Sequence, residues 1–136
     1  MQGFRRERHS VSRIVAHLVC VTKRRRKVLD GAALEWLRQH AERLFTSMGC
    51  ELLACEGEAD YLHLLVEYPP KYSVSVLVNA FKGTSSRGLR KARGDIASRS
   101  RDGALWSPSY FAASTGGASM EKVKQYVEQQ RASSSP

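Results

Sequence analysis

The succession of apolar patterns along this chain limits its fold more than any other feature. Four segments are dense in β-branched and apolar residues, which is typical of β-strands, and two segments between them space their apolar residues like one face of a helix. A third helical pattern follows the last strand. The predicted strands are Ile14–Thr22, Cys50–Glu56, Tyr61–Tyr68 and Leu105–Thr115, and the predicted helices are Ala33–Met48, Ser73 to about Arg90, and Ser119 to about Gln130.

This order predicts an α+β fold of the ferredoxin-like β-α-β-β-α-β type, a sandwich of helices on an antiparallel sheet, with an appended C-terminal helix. We expect a single domain over residues 13–131, a basic N-terminal arm over residues 1–12 and a flexible tail over residues 132–136. The polar connections predict a turn, a mobile loop and a hinge. These three connections are Gly57–Asp60, Gly94–Gly103 and Gly116-Gly117, in that order.

The charge balance favours a polyanionic partner. The chain carries 22 lysines and arginines against 13 acidic residues, a net charge of +9, which suits nucleic acid or an anionic membrane surface. No apolar run approaches the ~20 residues of a membrane span and no signal peptide is visible, so we expect a cytoplasmic protein without a membrane partner. Cys20, Cys50 and Cys55 form no CxxC pair, which indicates reduced thiols and no cysteine metal site.

Two basic stretches are candidates for contacts with a phosphate backbone. The first is the run Lys23–Lys27 at the end of a strand, and the second is the helical stretch Lys82–Lys91, in which hydroxyls accompany the cations. Taken singly, each stretch could equally be a solvated charged surface. Trp106, Tyr110 and Phe111 could stack on bases, but a place in the core or at a dimer interface is the favoured interpretation. The predicted DNA-binding residues are Lys23, Arg24, Arg25, Arg26, Lys27, Lys82, Ser85, Ser86, Arg87 and Arg90.

Residues with catalytic potential fall on the third predicted strand and on the last helix. Tyr61, His63 and Glu67 alternate along one face of the strand, which we expect to be the open face because the intervening leucines and valine form the core face. Tyr126 and Gln130 are four residues apart and share a helix face. A tyrosine can act as a covalent nucleophile, and a glutamine oxygen can bind a hard cation. Taken alone, a histidine on a strand is more often structural, and an amphipathic last helix more often serves packing.

In combination, these segments resemble the small transposases of the IS200/IS605 insertion-sequence family, the single-tyrosine members of the HUH nuclease group. The resemblance covers roughly residues 14–130. The stretches that carry it are Ala16-His17-Leu18-Val19, Val21-Thr22-Lys23, Arg25-Arg26-Lys27-Val28-Leu29, His63-Leu64-Leu65-Val66-Glu67-Tyr68-Pro69-Pro70-Lys71, Leu77-Val78-Asn79, Lys82-Gly83, Ser85-Ser86-Arg87, Leu105-Trp106-Ser107-Pro108-Ser109-Tyr110-Phe111 and Val123-Lys124-Gln125-Tyr126-Val127-Glu128-Gln129-Gln130.

The resemblance implies an activity and a set of site residues. It implies that Tyr126 attacks a phosphodiester of single-stranded DNA and forms a 5′-phosphotyrosine link. It also implies that Mg²⁺ or Mn²⁺ is held by His63, by Gln130 and at position 61. Family members are homodimers that share active sites in trans, because the helix with the tyrosine completes the partner's site. They recognise DNA hairpins near the element ends.

The chain departs from the family at position 61, where Tyr61 stands in place of the first histidine of the HUH pair. A phenol has a pKa near ~10 and binds Mg²⁺ poorly unless it is ionised. The metal could bind weakly through His63 and Gln130, Tyr61 could ligate directly, or the chain could be an inactive DNA-hairpin-binding protein of the same fold. A third class, an RRM-like RNA-binding module, predicts stacking aromatics on the central strands, and the first predicted strand offers none.

Overall fold

The computed structural model of the chain describes residues 3–100, 102–115 and 125–129. Within these ranges the regular structure consists of six strands and three α-helices, with a 3₁₀ turn at Lys23–Arg25 and a helical segment over residues 125–129. The strands are β1 Arg5–Glu7, β2 Ser10–Ser12, β3 Ile14–Val21, β4 Glu51–Glu58, β5 Tyr61–Tyr68 and β6 Phe111–Ser114, and the helices are α1 Gly31–Ser47, α2 Val74–Ala92 and α3 Gly94–Ser98.

The main sheet confirms the predicted ferredoxin-like arrangement. Its strand order is β4-β5-β3-β6, and all neighbouring strands are antiparallel. The register places Val19 opposite His63 and Val21 opposite Tyr61. Directly opposed residues of antiparallel strands share a face, so the face with His63 and Tyr61 can be followed across the sheet.

Local sequence signals account for the helix ends. Helix α1 begins after Asp30, whose Oδ1 atom accepts a hydrogen bond from the backbone N–H of Ala33 at 2.9 Å. It ends before Gly49, which adopts a φ of 75° that favours glycine. Helix α2 begins after Ser73, as predicted, because the Ser73 hydroxyl accepts from the N–H of Val76 at 3.3 Å.

The main core lies between these helices and the inner sheet face. Alternate residues of β3 and β5 point into it, together with one face each of α1 and α2. No helix among the described residues is long and apolar enough to cross a membrane. The largest fully buried side chains of this core are Leu18, Leu37, Phe45, Leu62, Leu64, Leu77, Phe81, Leu89 and Ile96.

Several predicted boundaries were wrong. The predicted basic arm contains an antiparallel hairpin of β1 and β2. The turn expected at Gly57–Asp60 is shorter, because Gly57 pairs with Leu62 and remains in β4. The loop expected at Gly94–Gly103 begins with α3. The last strand is confined to β6, and Trp106 forms an isolated bridge with Thr22. The predicted Gly116-Gly117 hinge and the start of the last helix lie outside the described residues.

The outer sheet face is more covered than the sequence suggested. Glu67, expected on an open face, is fully buried by the β1–β2 hairpin, from which Arg5 donates to both of its carboxylate oxygens at 2.9 and 2.5 Å. At the other end of the face, Val127 packs on Val19 and Val21. The two ends of this face are therefore occupied by the N-terminal hairpin and by the segment with Tyr126.

Candidate active site

The centre of the outer face holds two histidines from neighbouring strands. Nδ1 of His17 on β3 lies 2.9 Å from Nε2 of His63 on β5, and the two rings stack with centroids 5.1 Å apart. Both side chains are buried. Sequence reasoning assigned no role to His17, although it included the residue in the resemblance. The strand register that places His17 beside His63 cannot be read from the sequence alone.

Burial favours the neutral form of His63. Burial lowers the pKa of His63, the charge of His17 lowers it further, and Glu56 acts in the opposite direction. Oε1 of Glu56 lies 3.8 Å from Nδ1 of His63, an atom that is buried and has no hydrogen-bond partner among the described residues. A proton on this nitrogen would face the Glu56 carboxylate, which leaves Nε2 to accept from His17.

Tyr126 lies against the same face of the sheet, over Val19 and Val21. Its ring packs on Phe111 of β6, with centroids 4.6 Å apart. Both rings join a small apolar cluster that also contains Tyr61 and is centred on the buried residues Val19, Val21 and Val127. A cavity of about 230 Å³ beside this cluster is lined by Glu58, Tyr61, Val127 and Glu128. The structure thus places Tyr61 and Tyr126 in one apolar cluster, whereas Gln130 lies outside the described residues.

Groups around Tyr126 shift the pKa of its phenol in opposite directions. The pKa of Tyr126 is raised overall, because the effect of burial outweighs the charge of Arg25, which lowers it. Two smaller influences are Cys20, which raises the pKa, and a hydrogen bond to Ser109, which lowers it.

Arg25 is held in an unusual way. Its Nη2 atom donates to Oδ2 of buried Asp60 at 2.8 Å, and its side chain is only 8% exposed. Its Nε and Nη1 atoms are buried and have no hydrogen-bond partner among the described residues. Arg24 and Arg25 have φ values of 59° and 56°, in a region that costs a non-glycine residue about 1–2 kcal/mol. This strained backbone at Lys23–Arg25 directs the Arg25 side chain toward the protein interior.

The described donors do not form a ready site for Mg²⁺ or Mn²⁺. An imidazole binds a metal through a nitrogen lone pair, and Nε2 of His63 is engaged with His17. The phenol of Tyr61 is a weak ligand for a hard cation unless it ionises. No group of three or more His, Cys, Asp and Glu side chains in the described part of the chain could hold a metal ion. Within the described part of the chain, the donors therefore fit the implied cation poorly.

The predicted DNA-binding residues divide into two groups. Arg24, Lys27 and Arg87 are exposed. Lys23 and Arg26 are half-buried and pair with Asp102 at 3.1 and 3.7 Å. These five residues retain surface positions, and their contact with DNA stays a prediction.

The other group has structural partners, and it includes Arg25, which is bound to Asp60. Nζ of Lys82 donates to the carbonyls of Ser107 and Pro108 at 2.6 and 3.1 Å, and burial lowers its pKa. Arg90 donates to Ser100, and the Ser86 hydroxyl accepts from the N–H of Leu105.

Ser85 is a clear correction to the sequence interpretation. The residue is fully buried, and its hydroxyl accepts a hydrogen bond from Nε1 of Trp106 at 2.9 Å. Its position excludes contact with a phosphate in this fold. Trp106 is a core residue, as favoured from the sequence, while Phe111 belongs to the cluster around Tyr126.

Comparisons with known proteins match nearly the whole chain. The family profile described as "Transposase IS200 like" matches residues 10–130. The chain is 28% identical over 114 residues to the ISDra2 transposase TnpA of Deinococcus radiodurans, covering 84% of this chain and 81% of that protein. It is 31% identical over 114 residues to the transposase for insertion sequence element IS200 of Salmonella typhimurium, covering 84% and 74% of the two chains.

Two solved structures are similar in fold. A candidate transposase from Deinococcus radiodurans R1 superposes with a TM-score of 0.82 and 31% identity, over 93% of this chain and 97% of that one. A REP-associated tyrosine transposase bound to a REP hairpin gives a TM-score of 0.53 at 16% identity, over 93% and 68% of the two chains. The second similarity concerns the fold alone.

Proposed function

The chain belongs to the family of IS200-like transposases, and from that premise we propose that it cuts and rejoins single-stranded DNA at the ends of its insertion sequence. Tyr126 is the proposed nucleophile. One observation carries this proposal: the Tyr126 ring packs against the outer sheet face in a cluster with Tyr61, two residues from His63. This arrangement brings Tyr126 to the same region of the sheet as Tyr61 and His63, to which the family resemblance also assigns roles, although Tyr126 comes from a distant part of the chain.

The proposed reaction exchanges one phosphate ester for another. Tyr126 gives its phenol proton to solvent, and its oxygen forms a bond to phosphorus while the bond from phosphorus to the 3′ oxygen breaks. The 3′ oxygen takes up a proton, which leaves a 3′-hydroxyl end and a 5′-phosphotyrosine. In rejoining, a 3′-hydroxyl attacks the phosphotyrosine and releases the phenol. No oxidant or energy source is needed, because the ester bond is conserved.

We further propose that activity is impaired by Tyr61. Mg²⁺ and Mn²⁺ are the cations that the resemblance implies, and the donors of this chain suit them poorly, as described above. The hydrogen bond between His63 and His17 supports the same proposal, because it engages Nε2, one of the two His63 nitrogens that could bind a cation. We expect metal binding to be weak and to improve with Mn²⁺ at high concentration.

The DNA partner is proposed to be single-stranded DNA that carries hairpins at the element ends. The related fold bound to a REP hairpin supports this choice. Arg24, Lys27 and Arg87 supply exposed cations for its phosphates. Such contacts position a DNA backbone without reading its sequence.

A homodimer with shared active sites is also proposed. Strand β6 lies at one end of the sheet order and pairs only with β3 among the described strands. A short edge strand of this kind can be covered by a second copy. In the single chain, Tyr126 packs on its own sheet, so exchange in trans requires the last helix to cross to the partner. Light scattering that shows a stable monomer at micromolar concentration would contradict the dimer.

A second candidate is a DNA-hairpin-binding protein without chemistry. Tyr61 in place of a histidine favours it. One assay separates the candidates: incubation with a labelled single-stranded hairpin from the DNA flanking its gene, in the presence of Mn²⁺. A covalent adduct on a denaturing gel that disappears in Tyr126→Phe supports the transposase. Tight binding without an adduct, even after Tyr61→His, supports the binding-only candidate.

A further inference from the structure

We propose that the β1–β2 hairpin, on the face it turns away from the sheet, is a second DNA-contact surface that holds unpaired DNA several nucleotides away from the phosphate at Tyr126. The inference rests on the proposed function, in which single-stranded DNA is the substrate. It assigns a role to Phe4, Arg6, Arg8 and Arg13, which lie outside the two basic stretches considered above. Charge, exposure and position each support it.

The two faces of the hairpin carry different charges. Arg5 points toward the sheet, where it donates to the buried carboxylate of Glu67. Neighbouring residues of a strand point to opposite faces, so Arg6 and its cross-strand partner Val11 point away from the sheet. Glu7, the one acidic residue among the first 13, returns to the inner side, 4.0 Å from Arg5. The outer face of the hairpin is therefore left with basic and apolar residues.

Three arginines of this region are exposed. Arg6 lies on β1, Arg8 lies in the turn, and Arg13 directly follows β2. Within the described part of the chain, the ion pairs of the hairpin all involve Arg5, so these three charges remain available to an external anion. Nη1 of Arg13 also donates to the carbonyl of Gly3 at 3.4 Å, which holds this cation at the start of the hairpin. Guanidinium groups in this setting suit the phosphates of a nucleic acid.

Two apolar side chains accompany these cations. Phe4 is 63% exposed and Val11 is 58% exposed, and they are two of the three large hydrophobic residues exposed in the described part of the chain. Bases stack on exposed aromatic rings whatever their identity, and a basic groove with such rings is typical of surfaces for single strands. A second copy of the chain is a poor occupant, because a symmetric contact would bring the arginines of both copies together.

The position of the hairpin also favours DNA over an anionic membrane, the other polyanion that attracts exposed arginines. The hairpin covers Glu67 at one end of β5, and the segment with Tyr126 packs near Tyr61 at the other end. Six residue steps separate Tyr61 from Glu67, or about 20 Å of strand. A stacked single strand covers this distance with about six nucleotides of 3.4 Å each, and an extended strand with fewer. One DNA strand can therefore reach both places.

The first test puts a fluorescent ring on the proposed surface. In Phe4→Trp, oligothymidylate should quench the new indole, because a base stacks on it. The wild type keeps Trp36 and Trp106, and its signal is the background to subtract. Circular dichroism checks that the variant folds like the wild type. The absence of quenching above this background at saturating oligothymidylate would overturn the inference.

The second test separates this surface from general charge. Arg6→Gln with Arg8→Gln should lower the affinity for oligothymidylate and flatten the slope of log K against log[salt] by about 0.7 for each lost phosphate contact. Phe4→Ala should weaken binding about fivefold or more. The matched control, Arg38→Gln with Arg43→Gln, removes two exposed charges from α1, which packs on the inner sheet face. Equal changes of slope in the two double variants would overturn the inference.

A third test uses the distance along β5. In the Tyr61→His background, Arg6→Gln with Arg8→Gln should raise the DNA concentration needed for half-maximal adduct formation. This effect should disappear when the DNA is trimmed to fewer than about six nucleotides on the side of the cleavage site that reaches the hairpin. DNA is trimmed from each side in turn to find that side. An effect that persists after trimming on both sides would contradict the proposed position.

The outcomes separate the inference from the proposed function. If the hairpin variants bind DNA as tightly as the wild type, the inference fails and the proposed function stands. If they lose affinity while no DNA yields an adduct in any variant, the transposase proposal fails and the inference stands. Vesicles of phosphatidylglycerol test the membrane alternative. Vesicle binding that is lost in Phe4→Ala while DNA binding is unchanged would overturn the inference, as would a smaller mass of Phe4→Ala in light scattering with unchanged DNA binding.

Discussion

Nδ1 of His17 lies 2.9 Å from Nε2 of His63, although the two residues are 46 positions apart in the chain. Their strands are neighbours, and the two rings stack at an interplanar angle of 20°. His63 therefore has its orientation set by the adjacent strand. The same contact engages Nε2 of His63 and leaves its Nδ1 atom facing Glu56.

Tyr61→His should increase both metal binding and cleavage. The change supplies a second imidazole two residues from His63 on the same strand face, where a phenol now stands. Stronger charge stabilisation at the phosphate is worth several kcal/mol, so adduct formation should rise by about 10³-fold. Calorimetry with Mn²⁺ measures binding, and a denaturing gel measures the adduct. Tyr126→Phe should abolish the adduct in either background. Equal cleavage by the unaltered chain would show that Tyr61 is not a damaged ligand.

Arg24→Ala combined with Lys27→Ala should weaken DNA binding regardless of sequence. Both side chains are exposed, so their loss leaves no buried charge behind. Each lost phosphate contact should flatten the slope of log K against log[salt] by about 0.7 for single-stranded DNA, or about 1.4 in total. Fluorescence anisotropy across a salt series measures the slope. Arg43→Ala, an exposed cation on α1, is the control and should leave it unchanged. An unchanged slope in the double variant would remove this turn from the DNA surface.

Arg5→Met should destabilise the fold, because it removes the hydrogen-bond donor of the buried Glu67 carboxylate. The carboxylate of Glu67 is fully buried, and Arg5 supplies the charge-assisted hydrogen bonds that compensate it. Removing one partner of such a pair should cost about 2–4 kcal/mol, since part of Arg5 remains exposed. Urea unfolding measures the loss. Arg6→Met, on the exposed side of the same strand, should change stability little. Arg5→Met with Glu67→Leu should recover most of the loss, and a double variant no more stable than the single one would contradict this account.

His40 should make the fold less stable in acid. Its Nε2 atom lies 2.7 Å from the Thr84 hydroxyl, its ring stacks on Trp36, and burial lowers its pKa from the ordinary value of 6.5. Below about pH 6.5 the unfolded chain binds a proton that the folded chain resists, so the free energy of unfolding falls as the pH falls.

The comparison with His40→Gln isolates this contribution. His63 also has a lowered pKa, so the slope of the wild type alone is not diagnostic. The stability difference between wild type and His40→Gln should be constant above pH 7 and should move in favour of the variant as the pH falls to 5. Urea unfolding at several pH values measures it. A difference that does not vary with pH would show that His40 does not titrate differently on folding.

Much of the fold could be predicted because its signals are local. The strand Tyr61–Tyr68 was predicted with its observed bounds, since its alternation of polar and apolar residues defines two faces. The Ser73 cap was predicted from a hydroxyl that precedes a helical pattern. The N-terminal hairpin was missed because Arg5–Glu7 and Ser10–Ser12 are short and carry few apolar residues.

The sequence by itself determined the order of the main-sheet strands and the two long helices, the family resemblance and the residue types offered for chemistry, because periodicity, capping and motif spacing are properties of neighbouring residues. Only the tertiary structure decided which side chains meet. His17 reached His63 through strand register, and Arg25 was turned inward by two left-handed backbone positions and anchored to Asp60. Contacts across the sheet depend on how strands pair, and the burial of a charge depends on every element around it. Neither is encoded in the spacing of adjacent residues, and so the site took shape only when the chain was folded.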